Sequence, residues 1–347
     1  MAEDKRTRRK TKVCTPATLE PKTPAVALPV DPVASAREEG TKSKCSGKEG
    51  ARRCGFIALI GAPNVGKSTL VNALVGSKVA IVSHKMQTTR SPLRGIATAG
   101  IAQLIFIDTP GIFAPRRRLD RAMVTSAWAG AADADLVGMM IEATRGVDAE
   151  ASDVLDKLAD IPRPRILLIN KVDLVDKTGL LEIARYANRC MEFAATFMIS
   201  ALTGDGVADV RNWLAQHAPE GPWHYPEDQI TDAPLRQLAT EITREKLYLR
   251  LHQELPYQST VETELWHTLK DGSIRIEQTI YVERDSQRKI VLGKGGRTIK
   301  AIGADARREI AEMIEVPVHL YLLVKVRERW SGDRDRYRAM GLEFPRE

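Results

Sequence analysis

The sequence predicts an α/β protein in which a mainly parallel, doubly wound sheet is followed by a smaller α+β domain. Three observations predict it. Five short apolar runs, Phe56–Ile60, Leu104–Ile107, Leu136–Ile141, Ile166–Ile169 and Phe197–Ile199, alternate with stretches at helical spacing, as buried parallel strands and their crossover helices do. Polar loops follow several of these runs, where such a sheet places its ligands. Near Pro219-Glu220-Gly221-Pro222 the alternation stops, and Pro222, Pro226 and Pro234 punctuate a linker.

Residues 1–53 hold 13 Lys and Arg against 7 Asp and Glu, five prolines and no aromatic residue. Such a segment buries too little apolar surface to offset its chain entropy and is expected to be a disordered basic tail. Residues 54–220 carry 18 cations to 17 anions, and residues 221–347 carry 21 of each. The net charge of +7 and the pI of 9.2 therefore come mostly from the tail, and do not argue that the folded part binds nucleic acid. Cys14, Cys45, Cys54 and Cys190 are scattered, with no Cys-x-x-Cys spacing, so neither a zinc site nor a disulfide framework is expected, and a reducing cytosol fits. The six histidines are isolated. No apolar run approaches the roughly 18 residues of a membrane span, and the N-terminus lacks a secretory apolar core; a soluble protein is expected.

The first strand, Phe56–Ile60, leads into Gly61-Ala62-Pro63-Asn64-Val65-Gly66-Lys67-Ser68-Thr69, after which Leu70, Val71, Leu74 and Val75 recur at helical spacing. Gly-x4-Gly-Lys-Ser at a strand-to-helix turn is a phosphate cradle: backbone N–H groups point inward, the helix N-terminus adds positive charge, Lys67 reaches the terminal phosphates and Ser68 holds Mg²⁺. Behind Leu104–Ile107 stands Asp108-Thr109-Pro110-Gly111. Its carboxylate holds the Mg²⁺ shell opposite Ser68, and the Gly111 N–H meets a γ-phosphate. Asn170-Lys171-Val172-Asp173 closes the Ile166–Ile169 strand. The two acceptors of the Asp173 carboxylate match adjacent donors on a guanine edge that adenine lacks, Asn170 and Lys171 support loop and base, and a backbone N–H of Ser200-Ala201-Leu202 is expected to meet the guanine oxygen.

Together these motifs, in order over about 140 residues, resemble translation-factor-type P-loop GTPases. The segment Gln87-Thr88-Thr89-Arg90 is similar to their switch I, which implies that Thr89, or else Thr88, closes on Mg²⁺ with GTP. Ile112 occupies the place of the Ras-like water-positioning glutamine. Bacterial relatives with Pro-Asn-Val-Gly-Lys-Ser share that departure, and the resemblance implies that Asn64 helps position a K⁺ ion in place of an arginine finger. The expected catalytic residues are thus Asn64, Lys67, Thr89 and Gly111. Arg116-Arg117-Arg118 reads as a mobile, solvated basic loop.

In the second domain a helix through Leu235, Leu238, Ile242 and Leu247, a hairpin of Thr260–Trp266 and Ile274–Val282, helical stretches around Ile290-Val291-Leu292 and Thr298–Ile314, and a strand Val318–Val326 follow one another. The order is α-β-β-α-α-β. Gly293-Lys294-Gly295-Gly296 is similar to the Gly-x-x-Gly loop of KH domains, which clamps a nucleic-acid backbone. Between Arg284 and Lys300, six cations face only Asp285, a local excess that the whole-chain pI could not supply. Gly293, Lys294, Gly295, Gly296, Arg297 and Lys300 are the expected RNA contacts.

One P-loop GTPase domain followed by one type II KH domain resembles the Era family GTPases over residues 54 to about 340, including Glu254-Leu255-Pro256-Tyr257 and Ala301-Ile302-Gly303-Ala304-Asp305-Ala306-Arg307-Arg308. Two GTPase domains in the related Der proteins argue against that relative. The division implied is tail 1–53, GTPase domain 54–220, linker 221–230 and KH domain 231–347. The resemblance implies GTP and GDP as ligands with Mg²⁺, binding of the 16S rRNA 3′ end, assistance to 30S subunit assembly, and a cytoplasmic monomer loosely associated with the membrane.

Overall fold

The computed structural model describes residues 51–345 apart from 86–87, 252–254, 329 and 331–332. The expected tail lies almost wholly outside these residues, as do Gln87, Glu254, Cys14 and Cys45. The elements of the first half are β1 (Arg53–Ile60), α1 (Lys67–Val75), β2 (Leu93–Ala99), β3 (Ala102–Asp108), α2 (Arg118–Asp133), β4 (Leu136–Glu142), α3 (Ala149–Leu158), β5 (Arg165–Asn170), α4 (Lys177–Cys190), β6 (Ala195–Ile199) and α5 (Val207–His217). They build one sheet in the order β2-β3-β1-β4-β5-β6, parallel throughout except that β2 runs antiparallel to β3.

Alternation of side chains along each strand divides the core in two. Leu59, Leu104, Phe106, Met140 and Leu168 meet Leu70, Val71 and Leu74 of α1 and Val210 and Leu214 of α5. Ala58, Ile60, Met139, Ile141 and Ile169 meet Ala127 and Ala131 of α2, Val154 and Leu158 of α3, and Leu180 of α4. Both faces of the central strands are covered, which is why these strands read as continuous apolar runs.

β2 is the strand that the apolar runs do not announce. Leu93-Arg94-Gly95-Ile96-Ala97-Thr98-Ala99 is small and interrupted because it is the edge strand of the sheet, with no further strand on its outer side. A Cβ on Gly95 would come within 2.8 Å of Val71 and Val75, so α1 presses directly on this strand. Residues 230 and 231 shield the edge: Ile96 N donates to Ile230 O at 2.8 Å, and Gly95 bridges Thr231; Arg53, at the start of interior strand β1, bridges Glu220. Buried Gln103 latches the linker, its Oε1 accepting from His224 N (2.9 Å) and Tyr225 N (3.0 Å) while its Nε2 donates to Tyr225 O (2.8 Å). This stretch between the sheets is held along its length.

The second half contains α6 (Leu235–Arg250), β7 (Ser259–Thr268), β8 (Ile274–Val282), α7 (Asp285–Leu292), α8 (Arg297–Ile314), β9 (Val318–Val326) and α9 (Arg334–Ala339). Its sheet has the order β7-β8-β9, antiparallel at the hairpin and parallel between β8 and β9, because α7 and α8 form the crossover. The order α-β-β-α-α-β holds, with the six-residue α9 added. Leu247, Val261, Ile280, Val291, Ile302 and Val324 fill its core. The described residues cluster as one unit, and Leu119, Ala122 and Met123 of α2 pack with Trp330, Tyr337 and Leu342 from the C-terminal segment. Among the described residues no helix is long and apolar enough to cross a membrane, no metal-binding cluster of His, Cys, Asp and Glu is present, and Cys54 is a buried thiol outside any disulfide.

Replacing Gln103 by Leu orphans two linker N–H groups and one carbonyl, so it should cost about 2–4 kcal/mol and expose residues 221–234 to limited proteolysis. Equal denaturation midpoints and digestion rates for Gln103→Leu and the native chain would show that the latch is dispensable.

Candidate functional site

Parallel strands β1, β3, β5 and β6 end on one edge of the sheet, and the register that pairs Leu59 with Asp108 and Asn170 with Ile199 brings their loops together. A cleft of 670 Å³ opens there, within the usual range for a small-molecule site. Pro63, Asn64, Gly66, Lys67, Ser68 and Thr69 line one wall, Thr89, Thr109 and Gly111 the second, and Asn170, Lys171, Asp173, Ser200, Ala201 and Leu202 the third. Gly61, Ala62, Val65 and Pro110 are buried beside it, and Ala62 and Val65 belong to the apolar core; they shape the loop from behind.

Asn170 brackets three of these loops. Its Nδ2 donates to Val65 O at 2.7 Å and its Oδ1 accepts from Ala201 N at 2.9 Å. Gly66, at φ 100°, has to be glycine twice over: the backbone is left-handed, and a Cβ would sit 2.2 Å from Asn170 Nδ2. The Ala201 N–H, a candidate donor to a base, is thus engaged by Asn170. Lys67 is buried and its Nζ donates to Gly61 O (3.1 Å) and Ala62 O (3.0 Å); burial pulls its ammonium down to about 8, against the attraction of Asp108. Thr109 Oγ1 donates to Leu59 O at 2.5 Å, which clips the end of β3 to β1.

At the centre three oxygens converge. Ser68 Oγ lies 2.7 Å from Asp108 Oδ2 and 2.9 Å from Thr89 Oγ1, and Thr89 Oγ1 lies 3.1 Å from Asp108 Oδ2. Thr88 also lines the cleft, but its Oγ1 is engaged elsewhere, donating to Lys85 O at 2.7 Å and lying 2.6 Å from Ser83 Oγ. Burial pushes the Asp108 carboxyl up to about 6, opposed by the Ser68 hydrogen bond and by Lys67, and its Oδ1 is buried without a partner among the described residues. An octahedral Mg²⁺ with oxygen ligands at about 2.0–2.1 Å has ligand edges of about 2.9 Å. The spacing and the orphaned carboxylate oxygen fit such an ion.

The second candidate surface is the turn Gly293–Gly296 between α7 and α8. Lys294, Gly295, Arg297 and Lys300 are exposed, while Gly293 and Gly296 are half-buried. Gly295 has φ 63°, and a Cβ there would meet nothing within 4 Å, so the backbone is bare on its outer side. The N-terminus of the 18-residue α8 abuts the turn with no side-chain cap, and its first N–H, of Arg297, donates to Lys294 O. Part of the local charge is paired, with Arg288 and Lys289 at 3.6 Å and 3.5 Å from Asp285. Ile290-Val291-Leu292 is the last turn of α7, with Ile290 exposed and Val291 buried.

The family model described as "50S ribosome-binding GTPase" matches residues 56–171, and the KH domain model matches residues 254–331. GTPase Era of Bradyrhizobium sp. (strain ORS 278) is 67% identical over 299 residues, 86% of this chain and 97% of that protein. This chain belongs to the Era family of GTPases. The Rhizobium meliloti Era is 64% identical over 85% of this chain and 94% of its own length. A crystal structure of Era in complex with MgGDPNP and nucleotides 1506–1542 of 16S ribosomal RNA superposes with a TM-score of 0.80 at 34% identity, covering 84% of this chain and 99% of that one. An Aquifex aeolicus Era variant bound to GDP·AlF4⁻ gives the same TM-score at 35% identity, covering 83% and 99%.

In this Era family member several cleft residues carry no motif signal. Glu142 at the end of β4 pairs with Lys171 at 2.9 Å, which holds the left-handed Lys171 backbone (φ 66°) in place, and Arg145 and His84 also line the cleft. Asn64 Nδ2 donates to His84 O at 3.1 Å. Ile112 is buried in the apolar core, its N–H donating to Gly61 O at 3.0 Å, so its side chain is turned inward. The Arg116–Arg118 loop is less free than its composition suggests. Asp120 Oδ2 accepts from Arg116 N and Arg117 N, and Arg118 lies over the Phe344 ring.

A buried carboxyl whose folded pKa is raised costs stability above that pKa, and the cost fades as pH falls toward the unfolded value. Asp108→Asn should therefore stabilise the nucleotide-free protein at pH 7.5 by about 2–3 kcal/mol. The advantage should shrink between pH 6 and pH 4. An Asn variant with a lower Tm than the native chain at pH 7.5 would contradict this burial cost.

Proposed function

We propose that this chain is a GTP-hydrolysing switch that grips the 3′ end of 16S rRNA and assists 30S subunit assembly. The observation that carries this reading is the segment 78–90. At one end Lys78 Nζ bonds Glu245 (2.6 Å) and Glu309 (2.5 Å) of the second domain, and near the other Thr89 meets Ser68 and Asp108 in the cleft. A segment that joins the nucleotide cleft to the second domain is what a nucleotide-controlled RNA binder requires.

Backbone N–H groups along Gly61–Thr69 would hold the phosphates, Lys67 and the Gly111 N–H the γ-phosphate, and Asp173 the guanine edge. Ser68, Thr89 and Asp108 would hold Mg²⁺, which neutralises charge on the phosphates when bound. Asn64 would help hold K⁺. Gly293–Gly296, Lys294, Arg297 and Lys300 would clamp the RNA backbone, the glycines by close approach and the cations by charge. We read residues 1–53 as tail, 54–220 as GTPase domain, 221–230 as linker and 231–347 as KH domain, in a cytoplasmic monomer with loose membrane association. Family membership and the relative crystallised with MgGDPNP and 16S rRNA support this reading.

Replacing Lys294 and Gly295 together by Asp should weaken binding of an oligonucleotide of the 16S rRNA 3′ end by at least about tenfold, with GTP affinity unchanged; undiminished RNA binding would rule out the loop. GTP hydrolysis should run at least about tenfold faster in KCl than in NaCl, a small share of what an arginine finger supplies. Equal rates would remove potassium, and Asn64 with it, from the reaction.

A further inference from the structure

Thr89 and Arg90 are neighbours in the chain and belong to different domains in space. Thr89 Oγ1 sits in the oxygen triangle of the cleft. Arg90 is 3% exposed, and its guanidinium is enclosed by the second domain. Nη1 donates to Ser259 O at 2.9 Å, and Nη2 to the Tyr248 hydroxyl at 2.7 Å and to Pro256 O at 3.2 Å. The charge lies 5.8 Å from the centre of the Tyr248 ring and 5.6 Å from that of Trp330. These partners come from three separate segments: α6, the turn before β7 together with the first residue of β7, and the stretch after β9.

The cage is a costly way to fill space. None of the acceptors is a carboxylate, Arg90 Nε has no partner among the described residues, and a second cation, Arg244, lies 5.2 Å from the same Tyr248 ring. A hydrocarbon side chain would fill the volume without desolvating a charge. What the guanidinium adds is its fixed fork of donors, which is satisfied only when α6 and the turn leading into β7 are in register, with the Trp330 ring beside them. Consecutive Cα atoms are held about 3.8 Å apart, so anchoring Arg90 limits where Thr89 can go.

We propose that Arg90 is a positioning residue for GTP hydrolysis, locking into the second domain so that docking of that domain and closure of Thr89 on the metal site are one event. The proposal rests on the reading of the chain as a GTP-dependent RNA switch. The anchors at Lys78 and at Lys85, whose Nζ donates to Tyr248 O and Leu251 O, secure the start of the same segment, whereas Arg90 adjoins a member of the oxygen triangle. Coupling is reciprocal: whatever strengthens the cage favours the Thr89 position, and nucleotide that recruits Thr89 strengthens the cage.

The test uses the full chain with Arg90→Gln and Arg90→Lys. It measures GDP affinity, kcat and KM for GTP, and the ratio of affinities for a 16S rRNA oligonucleotide of nucleotides 1506–1542 with GDPNP and with GDP. Arg90→Gln should keep GDP affinity within about twofold, lower kcat by about tenfold or more with little change in KM, and bring the RNA ratio to about one. Arg90→Lys, with charge but no fork, should fall between. If Arg90→Gln does not fold, Tyr248→Phe, which removes one acceptor, should lower kcat in the same direction by about threefold. A variant that keeps both kcat and the native RNA ratio overturns the proposal, as does one whose GDP affinity falls in step with kcat. A native chain whose RNA affinity ignores the nucleotide overturns the switch reading instead, and kcat of the variants then decides the positioning role by itself.

Discussion

The loops of the cleft leave one edge of the parallel sheet, and a single side chain, Asn170, holds three of them in mutual register through Val65 O and Ala201 N. Without that bracket the phosphate loop and the β6 loop would be joined only through the strands beneath them. Asn170 has no freedom of its own, because β5 is buried between β4 and β6, and Gly66 leaves it just enough room. The rigidity of the site is therefore a property of the sheet, delivered to the surface by one amide.

The wall contributed by the segment 78–90 is different in kind. It comes from no strand end in the cleft and is fastened instead to the second domain, through Lys78, Lys85 and Arg90. The helix that follows the Asp108–Gly111 loop has a parallel attachment: α2 packs its Leu119, Ala122 and Met123 against Trp330, Tyr337 and Leu342. Trp330 borders both attachments, lying beside Arg90 and within the α2 cluster. A site whose fixed wall belongs to one domain and whose closing wall is tied to another is arranged for communication between them.

The sheet was largely legible because buried parallel strands are apolar on both faces, and the phosphate, Asp108 and Asn170 motifs were legible because their chemistry demands particular residues at particular strand ends. β2 escaped because an edge strand under α1 is selected for small size at Gly95 and Ala97 rather than for apolar continuity. The prolines around residue 226 read as a linker, but its fixing by Gln103 depends on a partner about 120 residues away and has no local signature. Thr89 and Thr88 could not be separated by sequence, since only the path of the chain decides which hydroxyl turns toward Asp108. The fate of Arg90 was equally invisible: its cage is assembled from Tyr248, Pro256, Ser259 and Trp330, which nothing but the tertiary fold brings together.

The central claim is that closure over the nucleotide and docking of the second domain are one event. Amide hydrogen exchange tests it most directly, followed at residues 78–90 and 255–261 of the full chain with GDP and with GDPNP. The account predicts that exchange slows in both stretches together and by a similar factor when GDPNP replaces GDP. Protection gained in 78–90 with no change in 255–261 would contradict it.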